Sequence, residues 1–138
     1  MPETLHASAV ALDDRALLIM GPSGSGKSSL ALELMAYGCM LVADDHCLFR
    51  PENGELIVSA PETIAGMIEA RGMGILNAAY RHEARVVAVV DLTETETERY
   101  PAPRSTQIAG IDIPLIHNSE IHCFPAQLLQ YLRGGRKL

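Results

Sequence analysis

Gly21-Pro22-Ser23-Gly24-Ser25-Gly26-Lys27-Ser28 has the residue types and the spacing that hold phosphate. The pattern is G-x-x-x-x-G-K-[ST]. Its glycines let backbone N–H groups approach a polyphosphate, its lysine reaches the β/γ-phosphates, and its hydroxyl ligates Mg²⁺. The flanks suit that task. Ala16-Leu17-Leu18-Ile19-Met20 is an apolar run of strand length, and Leu30, Ala31 and Leu34 repeat at helical spacing behind the loop. A strand, a glycine loop and a helix in that order point N–H groups and the positive helix end at one anion. The bland alternative is a strand–turn–helix corner with an incidental lysine. Eight matching positions in this setting outweigh it. The stretch predicts a protein that binds a nucleotide or a polyphosphate.

Phosphoryl transfer also needs a carboxylate near the metal and a base near the attacking oxygen. Asp44-Asp45 follows the apolar run Cys39–Ala43. Neighbouring side chains on an extended strand point to opposite faces, so two adjacent aspartates can divide those tasks only where the strand ends. Without Lys27 they would read as solvated turn residues. A rival exists in Arg85-Val86-Val87-Ala88-Val89-Val90-Asp91, an apolar strand closed by an acid. On pattern alone, Asp91 is as good a metal candidate as Asp44 or Asp45. Glu69-Ala70-Arg71-Gly72-Met73-Gly74 sets an acid and a cation beside a tight glycine loop, against the plainer reading of a helix end with an exposed ion pair of little worth. His6 lies in the first strand, where a lone histidine is usually a surface or packed ring.

The elements that must position these groups follow from local signals. Thr4–Leu12 reads as a strand, Asp13-Asp14 as a turn, and Arg15–Met20 as the returning strand. The helix behind the phosphate loop ends near Tyr37, with Gly38 as its C′ residue. Pro51-Glu52-Asn53-Gly54 predicts a hairpin between His46–Arg50 and Glu55–Ser59. Pro61 and Glu62 open a predicted helix through about Glu69, with Ile64, Met67 and Ile68 as its apolar face. Arg85–Leu92 is a strand, Thr93–Ser105 a long charged loop, and Thr106–Ile108 and Ile111–Ile116 are late strands. Pro114 puts the second of these at a sheet edge. Pro125–Leu132 is a short helix, and Arg133–Leu138 a frayed basic tail.

Composition sets the class. At 138 residues, 48% hydrophobic and 20% charged, residues 1–138 predict one globular domain burying roughly 68–70% of its unfolded surface. A net charge of −6 shows no nucleic-acid footprint. With no signal peptide evident and no apolar run near about 20 residues, a soluble, cytoplasmic protein is expected, away from membranes. Three cysteines without a C-x-x-C pair read as reduced thiols.

Taken together, Leu5-His6, the loop Gly21–Ser28, Leu41-Val42-Ala43-Asp44-Asp45 and Glu69-Ala70-Arg71-Gly72-Met73-Gly74-Ile75 resemble the catalytic domain of HPr kinase/phosphorylase. That enzyme phosphorylates a serine of the phosphocarrier protein HPr and reverses the reaction with inorganic phosphate. The resemblance implies an α/β, P-loop-containing fold like that of phosphoenolpyruvate carboxykinase, with a mixed sheet and flanking helices. It implies ATP and Mg²⁺ as cofactors, and HPr of the phosphotransferase system as the partner through which carbon metabolism is regulated. His6 matches a histidine near the phosphates, Lys27 the phosphate-binding lysine, and Ser28 and Glu69 the magnesium ligands. Asp45 matches the aspartate that takes the serine proton, Asp44 its companion near the metal, and Arg99 a catalytic arginine. The same resemblance demotes Asp91 to sheet core.

The chain also departs from the family. Ser29 replaces a usual glutamate and Asn77 a usual aspartate; a separate N-terminal domain is not matched. The late basic loop is reduced to Asp112–Asn118, and the terminal helices that dock HPr are short or missing. These departures bear on reverse phosphorolysis, metabolite control and hexamer assembly, and leave homo-oligomer formation open. Two other functions remain compatible with the residues: a kinase for a small hydroxyl compound, and a non-catalytic module that senses ATP.

Overall fold

A computed structural model describes residues 3–138. Its centre is the hairpin of β2 (Ala7–Leu12) and β3 (Arg15–Met20), preceded by the short strand β1 (Glu3–Leu5). The phosphate loop leads from β3 into helix α1 (Lys27–Ala36), after which β4 (Met40–Ala43) returns antiparallel to β2. β5 (Cys47–Glu52) and β6 (Glu55–Ser59) form the second expected hairpin. It closes on Asn53-Gly54, whose φ values of 51° and 77° are those of a type I′ turn. β7 (Met67–Ala70) and β8 (Gly74–Asn77) make a separate two-stranded ribbon. β9 (Glu83–Thr95), β10 (Arg104–Ile108), β11 (Ile111–Asn118) and helix α2 (Phe124–Gly134) complete the chain.

The main sheet runs β1-β5-β6-β9-β3-β2-β4, and β10 and β11 join it beside the far half of β9. β9 is parallel to β3 and β11 but antiparallel to β6, so the sheet is mixed, as expected. Period-two alternation gives it two cores. On one face Ala7, Ala9 and Ala11 meet Val42, Phe49, Leu56 and Val58; side chains this small let the sheet curl over itself. On the other face Val10, Leu17 and Ile19 pack against Leu30, Ala31 and Leu34 of α1 and Leu128 and Leu132 of α2. Each fully buried leucine contributes roughly 1.5–3 kcal/mol. That packing fixes α1, and with it the loop at its N-terminus. Among the described residues, no helix is long and apolar enough to cross a membrane.

Several expectations need correction. The strand expected over Thr4–Leu12 breaks at His6, where the chain leaves β5 as partner and takes up β3 and β4 instead. The helix expected from Pro61 to Glu69 is a single 3₁₀ turn, Glu62–Ile64, and Glu69 lies on strand β7. Gly66 explains why: its φ is 74°, and a Cβ there would stand 2.9 Å from the Tyr80 ring. The chain turns sharply at that point, and Ile64 and Ile68 belong to different elements. The loop expected over Thr93–Ser105 is shorter at both ends, because β9 runs to Thr95 and β10 starts at Arg104. β11 is not an edge strand. It pairs with β10 through Leu115 and with β9 from Leu115 onward, so the proline precedes the stretch that has a ladder on the β9 side. The C-terminal helix extends to Gly134, and in the tail Arg136 reaches the Pro101 carbonyl.

Candidate active site

The phosphate loop folds as its glycines require. Gly26 precedes α1 with φ 101°, in the left-handed region that a side chain would strain. Gly21 has no room for one: a Cβ would sit 2.6 Å from Ser25 Oγ. Lys27 is buried, and its Nζ donates to the Gly21 and Pro22 carbonyls at 2.9 and 3.2 Å. The ammonium therefore lies back across the start of the loop, among the N–H groups that face an anion.

Asp44 joins three segments from beneath. Its Oδ1 accepts from Ser28 Oγ at 2.6 Å and from Ser8 Oγ at 2.9 Å, and its Oδ2 accepts from the Glu69 backbone N–H at 2.9 Å. The carboxylate is buried, yet donors from β2, α1 and β7 replace the water it has lost. Ser8 does double duty, because its Oγ also accepts from the Asp45 backbone N–H at 3.0 Å. Ser8 is a residue missed from sequence. The signal available was a hydroxyl two residues after His6 in an otherwise apolar strand.

Asp45 is the open member of the pair. Its φ is 69°, a left-handed turn just beyond β4 that swings its side chain away from that of Asp44. Asp45 Oδ1 accepts from His6 Nε2 at 2.6 Å, and Oδ2 faces His46 Nδ1 at 3.4 Å. His46, whose ring centroid lies 5.7 Å from that of His6, is a second residue missed from sequence. Below them, Cys47 donates its thiol to the Ala7 carbonyl, and burial, with Asp44 and Asp45 nearby, pushes that thiol up to about 12. It stays protonated at neutral pH.

A cavity of about 360 Å³ gathers Gly24, Lys27, Ser28, Asp45, Glu69 and Arg71 on one surface. The structure thus brings His6, Lys27, Ser28, Asp44, Asp45 and Glu69 into one neighbourhood. Two candidates stay outside. Asp91 lies beside Met20 on β9 and accepts from the Thr93 N–H at 2.8 Å, away from the cavity. Arg99 lies over the ring of its neighbour Tyr100, 5.3 Å from the centroid, and does not line the cavity.

The donors fit Mg²⁺ by their chemistry. Ser28 Oγ and the Asp44 and Glu69 carboxylates are hard oxygen ligands, and a cation that keeps water and phosphate oxygens in its shell needs only one or two carboxylates from the protein. Among the described residues there is no cluster of three His, Cys, Asp or Glu side chains to form an all-protein cage.

Known proteins are similar to this chain in sequence and fold. A family model described as the HPr Serine kinase C-terminal domain matches residues 2–117. HPr kinase/phosphorylase of Malacoplasma penetrans is 30% identical over 125 residues, covering 81% of this chain and 42% of its own length. The Chloroherpeton thalassium enzyme is 35% identical over 124 residues, covering 80% of this chain and 36% of its own length. The solved structure of the Hpr(Ser) kinase/phosphatase from Coxiella burnetii superposes with a TM-score of 0.82 at 30% identity, over 95% of this chain and 94% of that one. The two share the mixed α/β fold of the P-loop, phosphoenolpyruvate carboxykinase-like class. The chain spans less than half the length of these two curated relatives.

Proposed function

The chain belongs to the family of HPr serine kinase C-terminal domains, and on that premise we propose that it transfers the γ-phosphoryl group of ATP to a serine of the phosphocarrier protein HPr. The observation that carries this reading is the shared cavity, where Asp45 faces the same space as Lys27 and Ser28. A kinase of this type needs little covalent chemistry from the protein; positioning and charge do most of the work.

The loop N–H groups and Lys27 hold the polyphosphate. Lys27 has only to exchange two loop carbonyls for phosphate oxygens. Ser28, Asp44 and Glu69 would hold Mg²⁺, which supplies charge neutralisation on the β- and γ-oxygens when bound. Asp45 takes the proton of the attacking serine hydroxyl, a step that contributes about 10²–10⁴-fold to the rate. With Asp45 ionised, His6 donates its Nε2–H to Oδ1, and Oδ2, which lies 3.4 Å from His46 Nδ1, is the oxygen that takes the substrate proton. Reverse phosphorolysis would use Asp45 to return that proton. On this reading the protein works in the cytoplasm as part of carbon-source regulation, without nucleic acid or membrane.

The test is incubation with γ-labelled ATP, Mg²⁺ and HPr from the same organism. Label on a serine of HPr is expected, with loss of both label and tight ATP binding in Lys27→Ala. Binding of ATP without transfer to HPr would leave a sensing module, and transfer to a small hydroxyl compound instead would replace the substrate.

A further inference from the structure

A second cavity adjoins the first across the phosphate loop. It holds about 250 Å³ and shares Gly26 and Ser29 with the phosphate-facing cavity. Its walls are of another kind: Leu92, Ile121 and Phe124 supply apolar surface, while Glu33 and Asn118 supply one carboxylate and one amide. Ser25 also lines it, and Ser25 Oγ is a buried hydroxyl without a hydrogen-bond partner. Such a group calls for an explanation, because a buried polar atom left unpaired costs roughly 1–3 kcal/mol.

We propose that this cavity receives the nucleobase of the nucleotide whose phosphates lie in the loop, and that it favours a base with an exocyclic amino group. The inference rests on the nucleotide reading given above. Size supports it: the volume lies below the roughly 300–1,000 Å³ typical of a pocket for a whole ligand, so the cavity suits one part of a ligand continued next door. Position supports it as well. Ser29 is in the first turn of α1, so a polyphosphate lying along the loop and helix end leads from the first cavity to the second. The polar chemistry selects the base. The Glu33 carboxylate can only accept, which pairs it with an amino group. Asn118 Oδ1 already accepts from the Ser119 N–H at 2.9 Å, which leaves the Asn118 amide to donate to a ring nitrogen. An acceptor on α1 and a donor at the end of β11, both lining the cavity, suit an amino group and a ring nitrogen of one base, and a site built to bond an N–H rejects an analogue lacking it.

The experiment is calorimetric titration of the full chain, in Mg²⁺, with ATP, ITP and inorganic tripolyphosphate. ITP lacks the amino group, and tripolyphosphate lacks base and sugar altogether. ATP should bind about tenfold or more tighter than tripolyphosphate, with ITP between them. In Glu33→Gln the ATP-to-ITP ratio should fall towards one. In Ile121→Trp, where the larger ring fills the cavity, the ATP-to-tripolyphosphate ratio should fall towards one. Both positions are exposed, and tripolyphosphate binding reports that each variant is folded. Equal affinity of the parent for ATP and tripolyphosphate, or ratios that survive both substitutions, would overturn the base site while leaving the phosphate loop intact. Failure of both ATP and tripolyphosphate to bind would overturn the nucleotide reading and this one with it.

Discussion

Asp44 and Asp45 are neighbours in the chain and opposites in the fold. Asp44 is buried and accepts three hydrogen bonds from residues on three elements. Asp45 is about half exposed and touches two imidazoles at the mouth of the cavity. One left-handed residue separates these environments, since the φ of 69° at Asp45 takes the chain out of the strand direction. On the proposed function, the same side chain serves as a structural keystone at one position and as a proton acceptor at the next. Solvent and backbone direction assign the roles.

The sharpest way to break the comparison is to remove the buried member. Asp44→Ala leaves Ser8, Ser28 and the Glu69 N–H without their acceptor, and should lower stability by about 2–4 kcal/mol while abolishing transfer. Urea unfolding checks it; a parental midpoint would mean that Asp44 ties nothing together. Next comes the open member. Asp45→Asn keeps the shape, tolerates the left-handed backbone and cannot accept the proton. Single-turnover transfer should slow at least roughly a hundredfold while ATP affinity holds or rises and the urea midpoint stays put. Loss of ATP binding together with rate would make Asp45 a metal ligand rather than the base.

The third test sets two other acids against each other. Glu69→Gln should raise the Mg²⁺ concentration for half-maximal activity several-fold, because an amide is a poorer ligand for a hard cation. Asp91→Asn should not, since its carboxylate caps Thr93 outside the cavity. A metal defect in Asp91→Asn alone would reverse the assignment. The smallest effect belongs to a pair remote from both aspartates. Hydrogen bonds from Arg104 hold the Glu96 carboxyl below its ordinary 4.5. An acid with a depressed folded value stabilises the fold above its unfolded value and loses that contribution as pH falls through the folded one. Arg104→Gln should therefore lower stability slightly at neutral pH and not at all in acid where Glu96 is protonated in both states. Its transfer rate should remain parental.

What the sequence made legible were features whose signals are local. The loop Gly21–Ser28 announces its own anion site, and the two hairpins announce themselves through Asp13-Asp14 and Asn53-Gly54. The Pro61–Glu69 helix failed because Ile64, Met67 and Ile68 fit a helical period while Gly66 breaks the chain between them. Four residues, Met67 to Ala70, show the alternation of a strand, too few to outweigh the apolar spacing around them. Grouping His6 with Asp45 came from the family resemblance, since nothing local links residues 39 positions apart. Ser8 was missed because its partners, the Asp44 carboxylate and the Asp45 N–H, come near only when β2 pairs with β4, and His46 because its ring meets that of His6 only in the fold.

The strand order carries a consequence for how the molecule comes into being. Without β9 the main sheet falls into three pieces, β1-β5-β6, β3-β2-β4 and the late hairpin β10-β11; the first two carry the site. The chain crosses from one piece to the other at His6, between β1 and β2, and again at Asp44-Asp45-His46, between β4 and β5. His6, Asp44 and Asp45 thus sit along the seam, and their alignment reports whether the two pieces have been joined. A ribosome that has made residues 1–71 has produced every side chain of the reactive cavity but not the strand that closes the sheet. On the proposed function, a chain in which Glu83–Thr95 has not yet emerged and inserted between β6 and β3 is expected to lack transfer activity.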